Sequence, residues 1–236
     1  MVFSAIYPRL DVRVFCVLCI SSESLMTIKV WVKSRLADKA LKPVRLELCQ
    51  CLRDLNLERS QRADLQVTEF RVLDVGCGTG DFLFRCANQI THGLGIDLDQ
   101  DMVTYARRQA EQNQLSNLSF QCIDAQSLQQ PMFDVGVSTL CIHEMPKPTA
   151  LSVLKRMLAQ CSELLIADYT QPKGWFSCAG IELDELMSGH YRHFRRYRAS
   201  GGIDGYASEI GARCQRVCDS ELDGIAIWRL SINQPG

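Results

Sequence analysis

Three glycines and two acids within a short stretch are the residues of this chain best suited to hold a ligand. The sequence D-V-G-C-G-T-G-D places Gly76, Gly78 and Gly80 at alternate positions between Asp74 and Asp81. Glycine adopts positive φ angles and lets the backbone approach a ligand closely, so a glycine loop between a strand and a helix is typical of a ligand-binding turn. The alternative is a tight turn without a ligand, which rarely needs three glycines.

The residue at position 81 indicates the charge of that ligand. A dinucleotide fingerprint, G-x-G-x-x-G, would have its third glycine at this position, where the chain has Asp81 instead. The carboxylates of Asp74 and Asp81 favour a ligand with a cationic group over a polyphosphate. S-adenosylmethionine carries an ammonium and a sulfonium and has no phosphate, so it has the predicted character.

The same stretch resembles a known family. V-L-D-V-G-C-G-T-G is similar to the first motif of class I S-adenosylmethionine-dependent methyltransferases, and the similarity covers about residues 42 to 231. H-E-M-P at 143–146 resembles a signature of a bacterial subgroup similar to the ubiquinone/menaquinone C-methyltransferases. The later motifs that carry the resemblance are G-I-D-L-D-Q-D-M (95–102), C-I-D-A (122–125), F-D-V-G-V-S-T-L (133–140) and L-L-I-A-D-Y (164–169).

Short apolar runs predict the strands that position these residues. The run Val72, Leu73, Val75 indicates a strand buried on both faces. Further strands are predicted at 93–98, 118–123, 132–138, 163–167, 214–219 and 225–232, with helices at 31–55, 150–158 and 203–211. The resemblance implies a doubly wound, Rossmann-like α/β fold. Its seven-stranded sheet is mostly parallel with an antiparallel last strand, and helices cover both faces. It also implies a turn at 159–162, where the family usually carries P-G-G.

Acids near the ends of successive strands predict the rest of the cofactor site. Asp97 ends the second strand about 20 residues after the glycine loop, where an acid accepts hydrogen bonds from ribose hydroxyls. The alternative role, capping the next helix, suits Asp99 and Asp101 better. The resemblance implies that Asp124 and Ala125 contact the adenine. The predicted cofactor-binding residues are Asp74, Gly76, Cys77, Gly78, Gly80, Asp97, Leu98, Met102, Asp124, Ala125 and Ser138.

Two of these assignments have a structural alternative. Met102, which the resemblance places under the adenine ring, is otherwise an ordinary core residue. Asp124 is otherwise a solvated loop acid.

His143 and Glu144 form a titratable pair directly after the fourth strand. In an open parallel sheet, ligands bind beyond the carboxyl ends of the strands, near the point where the strand order reverses. The pair is therefore predicted to be catalytic, taking a proton from the methyl acceptor or orienting it. For His143 the alternative is a structural hydrogen-bonding role that positions the loop.

The segment G-H-Y-R-H-F-R-R-Y-R at 189–198 resembles the family's lid insertion between the fifth and sixth strands. Helical spacing gives it an aromatic face with His190, Phe194 and Tyr197. The other face is cationic and carries Arg192, Arg195 and Arg196. We predict either a rim for an anionic or aromatic acceptor or a solvated basic face, with anionic lipid as a further partner. The predicted substrate-binding residues are Tyr169, His190, Tyr191 and Arg195.

Composition limits the classes of protein that this chain can represent. The net charge of -1 gives no overall attraction to nucleic acid. The apolar run from Val12 to Ile20 is too short to span a bilayer, so no transmembrane segment is predicted. The 12 cysteines lie mostly in apolar runs and are predicted to be reduced thiols in a cytoplasmic protein. C-x-x-C at 16–19 and C-x-C at 49–51 have no matching second pair, so no metal site is predicted.

The 236 residues are expected to form one main domain. The predicted parts are an atypical N-terminal extension over 1–25, with Met26 as an alternative start, and a helical cap and linker over 26–69. The methyltransferase domain follows over 70–236, with the lid insertion at about 172–202. Two other functions remain open: a catalytically silent protein that binds the same cofactor, and a nucleotide-cofactor oxidoreductase, which Asp81 disfavours.

Overall fold

The computed structural model describes residues 38–62, 69–129 and 132–232. Its strands are β1 (Arg71–Val75), β2 (His92–Asp97), β3 (Leu118–Cys122), β4 (Phe133–Thr139), β5 (Cys161–Tyr169), β6 (Ala212–Asp219) and β7 (Ile225–Ile232). They form one sheet in the order β3-β2-β1-β4-β5-β7-β6. The first five strands are parallel, and β7 runs antiparallel between β5 and β6. The predicted fold class is therefore confirmed.

Helices precede β1 and connect most of the parallel strands. They are α1 (Asp38–Ala40), α2 (Lys42–Arg62), α3 (Asp81–Cys86), α4 (Gln100–Gln112), α5 (Lys147–Gln160), α6 (Trp175–Ser188), α7 (Tyr191–Ala199) and α8 (Gly202–Glu209). Two short 3₁₀ turns follow β3 and β4, at Ala125–Ser127 and Ile142–Glu144.

The central strands are buried on both faces, which explains their continuous apolar runs. In β1, Val72 and Leu73 are completely buried, and Leu73 lies opposite Leu94 of β2 and Gly136 of β4. The strand order reverses between β1 and β4, so the segments that follow these two strands border the same crevice at the carboxyl edge of the sheet.

Helix α2 is longer at its carboxyl end than predicted. The polar stretch 56–62 was expected to be linker, but it continues the helix to Arg62. Two ion pairs hold this end against the sheet: Arg59 Nη2 lies 2.6 Å from Asp134 Oδ1, and Glu58 Oε2 lies 2.9 Å from Arg229 Nη1. The prediction of a linker from the polarity of residues 56–62 is therefore wrong, because the partners that stabilise the helix are distant in sequence. The predictions for residues 1–37 lie outside the described residues.

The connection between α5 and β5 also differs from the prediction. A turn was expected at 159–162, but α5 continues to Gln160 and β5 starts at Cys161, whose backbone is already extended at φ −129°. The thiol of Cys161 is buried beneath Gly136, where an added Cβ would come within 2.8 Å of its Sγ. Packing of Cys161 into the core therefore replaces the turn with a direct change from helix to strand.

The predicted lid consists of α6 and α7, joined through Gly189, whose φ is +84°. In α7, Phe194 and Tyr197 are buried, while Arg192 and Arg196 are exposed. None of the described helices is long and apolar enough to cross a membrane. The described cysteines are free thiols.

Candidate active site

The glycine loop is held against the end of β2 by its own backbone. The amides of Gly76 and Cys77 both donate to the carbonyl oxygen of Ile96, at 2.9 and 3.1 Å. Gly76, Gly78 and Gly80 all have positive φ, at 75°, 52° and 81°. Since non-glycine residues rarely adopt these angles, the three glycines are required by the path of the loop.

Replacing Gly76 with alanine is expected to lower the free energy of unfolding by about 2–4 kcal/mol, because a left-handed backbone and an overpacked side chain both destabilise. An added Cβ would lie 2.4 Å from Cys141 Sγ and 2.9 Å from its Cβ. Gly78→Ala is the matched control, since it shares the positive φ but meets nothing within 4 Å. Urea denaturation measures both variants, and equal losses of stability would contradict the packing role of Gly76.

Asp97 links the glycine loop to the start of α4. Its Oδ2 accepts from the amide of Gly78 at 2.8 Å, and its Oδ1 accepts from the amide of Asp99 at 2.9 Å. The predicted alternative role belongs to Asp99 instead, whose Oδ1 accepts from the amides of Asp101 and Met102 and caps α4. These two bonds fix the carboxylate of Asp97 in position, and the residue is half-buried.

The other acids of the loop are less available than predicted. Asp81 Oδ2 lies 2.8 Å from Arg45 Nη1 and 2.6 Å from Arg85 Nε, so two arginines compensate its charge. Arg45 also pairs with Asp38 of α1 at 2.6 Å. Asp74 is buried; burial raises the pKa of its carboxyl to about 7, against the lowering effect of Arg45. Asp81 is therefore no evidence for a cationic ligand, because arginines already compensate its charge. The sequence did not predict this, because Arg45 is distant from Asp81 in the chain.

The residues predicted around the adenine differ in exposure. Leu98 is 73% exposed, next to Asp97, and offers an apolar surface, whereas Met102 is completely buried. Asp124 is exposed and caps the 3₁₀ turn through Gln126 N, at 2.8 Å, with Ala125 buried beside it. Ser138 is completely buried and donates to the Val75 carbonyl oxygen at 3.0 Å, which joins β4 to β1.

His143 lies in a buried ionic cluster rather than at the surface of the crevice. Its Nδ1 is 2.5 Å from Asp168 Oδ1, and its Nε2 is 3.2 Å from Glu185 Oε1 of α6. The ring packs against Tyr169, with centroids 4.6 Å apart, and against Phe194 at 6.1 Å. All three members of the ionic cluster are at most 3% exposed. Both ring nitrogens are therefore engaged, and the cluster connects the loop after β4 to the lid.

The charge of His143 follows from these partners. Burial alone would lower the pKa of the imidazole, but the neighbouring charge and hydrogen bond of Asp168, together with Glu185, raise it to about 10. Asp168 is also fixed by the backbone, since it accepts from the amides of Ile142, His143 and Tyr169. The cluster therefore holds a protonated imidazole between two carboxylates, which suits the structural alternative for His143 better than proton transfer.

The other predicted acceptor-side residues divide into buried and exposed groups. Tyr169 is 8% exposed, and its ring packs against Phe194, so it belongs to the aromatic surroundings of the cluster. At the lid, the imidazole Nδ1 of His190 lies 3.6 Å from Glu144 Oε1, and both side chains are more than 40% exposed. Tyr191 is half-buried, and the guanidinium of Arg195 lies 6.0 Å from its ring centre. Glu144 and His190 thus form the accessible titratable pair.

Three residues of the site were missed by the sequence reasoning. Asp168 ends the apolar run of β5, a pattern that also marks Asp74 and Asp97, so a signal for it existed. Glu185 and Arg45 were not predicted to belong to the site, because each is a charged residue on a helix whose partner is distant in sequence. No cluster of three metal-ligating side chains occurs among residues 38–62, 69–129 and 132–232.

Comparison with known proteins agrees with this geometry. A family described as a methyltransferase domain matches residues 72–163, from β1 to the start of β5. Malonyl-[acyl-carrier protein] O-methyltransferase of Paenibacillus is 30% identical over 120 residues, which cover 48% of this chain and 43% of that protein. Ubiquinone biosynthesis O-methyltransferase of Coxiella burnetii is 31% identical over 96 residues, 40% of this chain and 38% of that protein. The chain thus spans about two fifths of these curated relatives.

A solved structure extends the similarity of the fold over most of the chain. The magnesium protoporphyrin IX methyltransferase of Synechocystis, solved with bound S-adenosylhomocysteine (SAH), aligns with a TM-score of 0.56 and 15% identity. The alignment covers 90% of this chain and 95% of that one. At this identity the alignment demonstrates a shared fold.

Proposed function

Because residues 72–163 belong to the class I S-adenosylmethionine-dependent methyltransferase family, we propose that this protein transfers a methyl group from S-adenosylmethionine to a small-molecule acceptor. The observation that carries the proposal is the hydrogen bond from Gly78 to Asp97, at 2.8 Å. It joins the glycine loop to the end of β2 at the crevice where the strand order reverses, which is where such folds bind their ligands.

The residues at this crevice fit the cofactor. Asp97 offers a fixed carboxylate for ribose hydroxyls, and the exposed Leu98 beside it offers an apolar surface for a base. An added Cβ at Gly78 would meet no protein atom within 4 Å, so the loop leaves open space there. Asp124, exposed after β3, can accept from an exocyclic amine. Asp97, Leu98, Gly78 and Asp124 would therefore hold the nucleoside.

Methyl transfer requires alignment and exclusion of water more than it requires acid–base groups. When bound, the cofactor supplies an activated methyl group: the acceptor's nucleophilic atom forms a bond to the methyl carbon, the S–CH3 bond breaks, and its electron pair stays on sulfur as a neutral thioether. The loop Ile142–Glu144 and helix α6 border the acceptor side, and the His143 cluster holds them together. We assign His143 a positioning role on this basis.

An acceptor that carries a proton, such as a hydroxyl, needs a group to receive it. Glu144 and His190 are supported for this role because they are close to each other, exposed, and located where β4 and the lid meet. Arg195 and Tyr191, on the first turns of α7, would then contact an anionic or aromatic part of the acceptor. The named relatives act in ubiquinone biosynthesis and on malonyl-[acyl-carrier protein], which supports an oxygen nucleophile here.

The proposal is tested by incubating the full chain with a protein-free cell extract and S-adenosylmethionine labelled in its methyl group. Mass spectrometry is expected to detect a labelled small molecule together with S-adenosylhomocysteine. The Asp97→Ala variant serves as the control and should form much less of both. If the protein binds the cofactor but labels nothing across fractionated extracts, a catalytically silent binding protein is the better description.

A further inference from the structure

Helix α6 carries large apolar side chains on its outer surface. Trp175, Phe176, Leu186 and Met187 are each more than 60% exposed, and Leu183 is 37% exposed. The rings of Trp175 and Phe176 stack with centroids 3.6 Å apart. At helical spacing the five residues fall within about one third of the helix circumference. We call these five residues the apolar lid face.

The opposite side of α6 faces the protein. Glu185 is 3% exposed and lies next to His143, and Ile181 is partly buried against the core, so the helix already has an inner surface that packs on the domain. The apolar lid face is therefore additional to the core. Soluble proteins rarely expose contiguous apolar side chains of this size unless another surface covers them.

The neighbouring helix α7 presents positive charge. Arg192, Arg195 and Arg196 are exposed, and among the described residues no carboxylate oxygen lies within 4 Å of their guanidinium nitrogens. Arg195 instead lies near the ring of Tyr191. The fourth arginine, Arg198, pairs with Glu182 of α6 and is compensated. The outer side of α7 therefore carries three uncompensated positive charges.

The apolar lid face and the three arginines adjoin each other. The pair Glu182–Arg198 joins the edges of α6 and α7 that face each other, and Gly189 and His190 are the only residues between the helices. Both helices bury one side against the domain, through Glu185 in α6 and Phe194 in α7. Their opposite, exposed sides are therefore expected to form one surface. The exposed Asp184 is two residues from Glu182 and lies on the far side of α6, away from α7.

We propose that this surface docks the protein onto an anionic lipid bilayer. Helix α6 would lie in the plane of the interface with Trp175, Phe176 and Met187 in the boundary between headgroups and acyl chains. The arginines of α7 would contact lipid phosphates. The combination of aromatic and aliphatic side chains with neighbouring arginines is typical of helices that bind at a membrane surface without crossing it.

The charge of the surface favours a bilayer over a second copy of the chain. A two-fold dimer brings the same patch of both copies together, so the patch itself supplies no opposite charge to the three arginines. An anionic bilayer supplies the opposite charge and has no fixed shape to match. Apart from Arg195, which the proposed function also assigns to the acceptor, the docking surface is separate from the proposed reaction, since it uses the outer side of the lid.

The test is flotation of the full chain with vesicles of phosphatidylcholine alone and with vesicles that also contain phosphatidylglycerol. We expect binding only with phosphatidylglycerol, weakening as salt is raised. The Arg192→Gln/Arg196→Gln variant should bind roughly 30-fold more weakly. The Trp175→Ala/Phe176→Ala variant should bind at least about tenfold more weakly. Circular dichroism and thermal unfolding check that each variant folds.

Two variants elsewhere on the surface provide matched controls. Leu57→Ala removes an apolar side chain that is 60% exposed on α2, and Arg108→Gln removes an exposed arginine of α4. Both should float like the unmodified protein. The proposal is overturned if the unmodified protein does not float, if the lid variants float equally well, or if the controls lose as much binding. A lid-dependent dimer in the absence of lipid binding would also overturn it, in favour of a second copy.

Discussion

Replacement of Asp97 with alanine is expected to weaken S-adenosylmethionine binding by about 1–3 kcal/mol, or roughly 5- to 150-fold, the range for hydrogen bonds to a charged group. The variant would lose the ribose acceptor that we propose. It would also release the amides of Gly78 and Asp99, which Asp97 holds at 2.8 and 2.9 Å. Isothermal titration calorimetry measures the change.

The control for this variant is Asp101→Ala, which removes a neighbouring acid at the start of α4 whose backbone amide, rather than its carboxylate, is bonded to Asp99. Its affinity for the cofactor should remain within about twofold, since a surface substitution away from bound groups has little effect. If Asp97→Ala binds as tightly as the unmodified protein, the assignment of Asp97 to the ribose is wrong.

Replacement of His143 with alanine is expected to lower the free energy of unfolding by about 3–5 kcal/mol, because it removes the cation that lies between two buried carboxylates. Asp168 and Glu185 are both nearly inaccessible to solvent. His92→Ala is the matched control, since His92 is exposed at the start of β2 and should contribute little. Urea denaturation at neutral pH compares the two variants. Turnover lost with stability unchanged would instead indicate proton transfer by His143.

The same cluster predicts how stability depends on pH. The folded-state pKa of His143 is about 10, above the ordinary histidine value of 6.5. A raised histidine pKa adds stability that is fully present below pH 6.5 and is lost as the pH rises through 10. The free energy of unfolding should therefore fall from neutral pH towards pH 10, and this slope should be smaller in His143→Ala.

The strand–loop–helix unit around the glycines was predictable because its signals are local. Gly76, Gly78 and Gly80 sit where positive φ is required, and the apolar run of β1 is buried on both faces. The antiparallel position of β7 was implied by resemblance only. Periodicity carries no information about which strand pairs with which, and Ile225–Ile232 would have the same pattern in either direction.

The charged parts of the site were less predictable because their partners are distant in sequence. The sequence around Asp81 indicates a carboxylate free to bind a cation, but Arg45 of the preceding helix lies 2.8 Å from it. In the sequence, His143 and Glu144 resemble a catalytic pair. In the structure, the partners of His143 are instead Asp168 of β5 and Glu185 of α6. The sequence shows which side chains can ionise, whereas the tertiary fold decides which partners compensate their charges.

The most direct test of the account is a crystal structure of the protein grown with S-adenosylhomocysteine. The account predicts that the nucleoside lies at the carboxyl edge of β1 and β2, with its ribose on Asp97 and its base beside Leu98. A crevice closed by the protein's own side chains, or the ligand bound elsewhere, would contradict it.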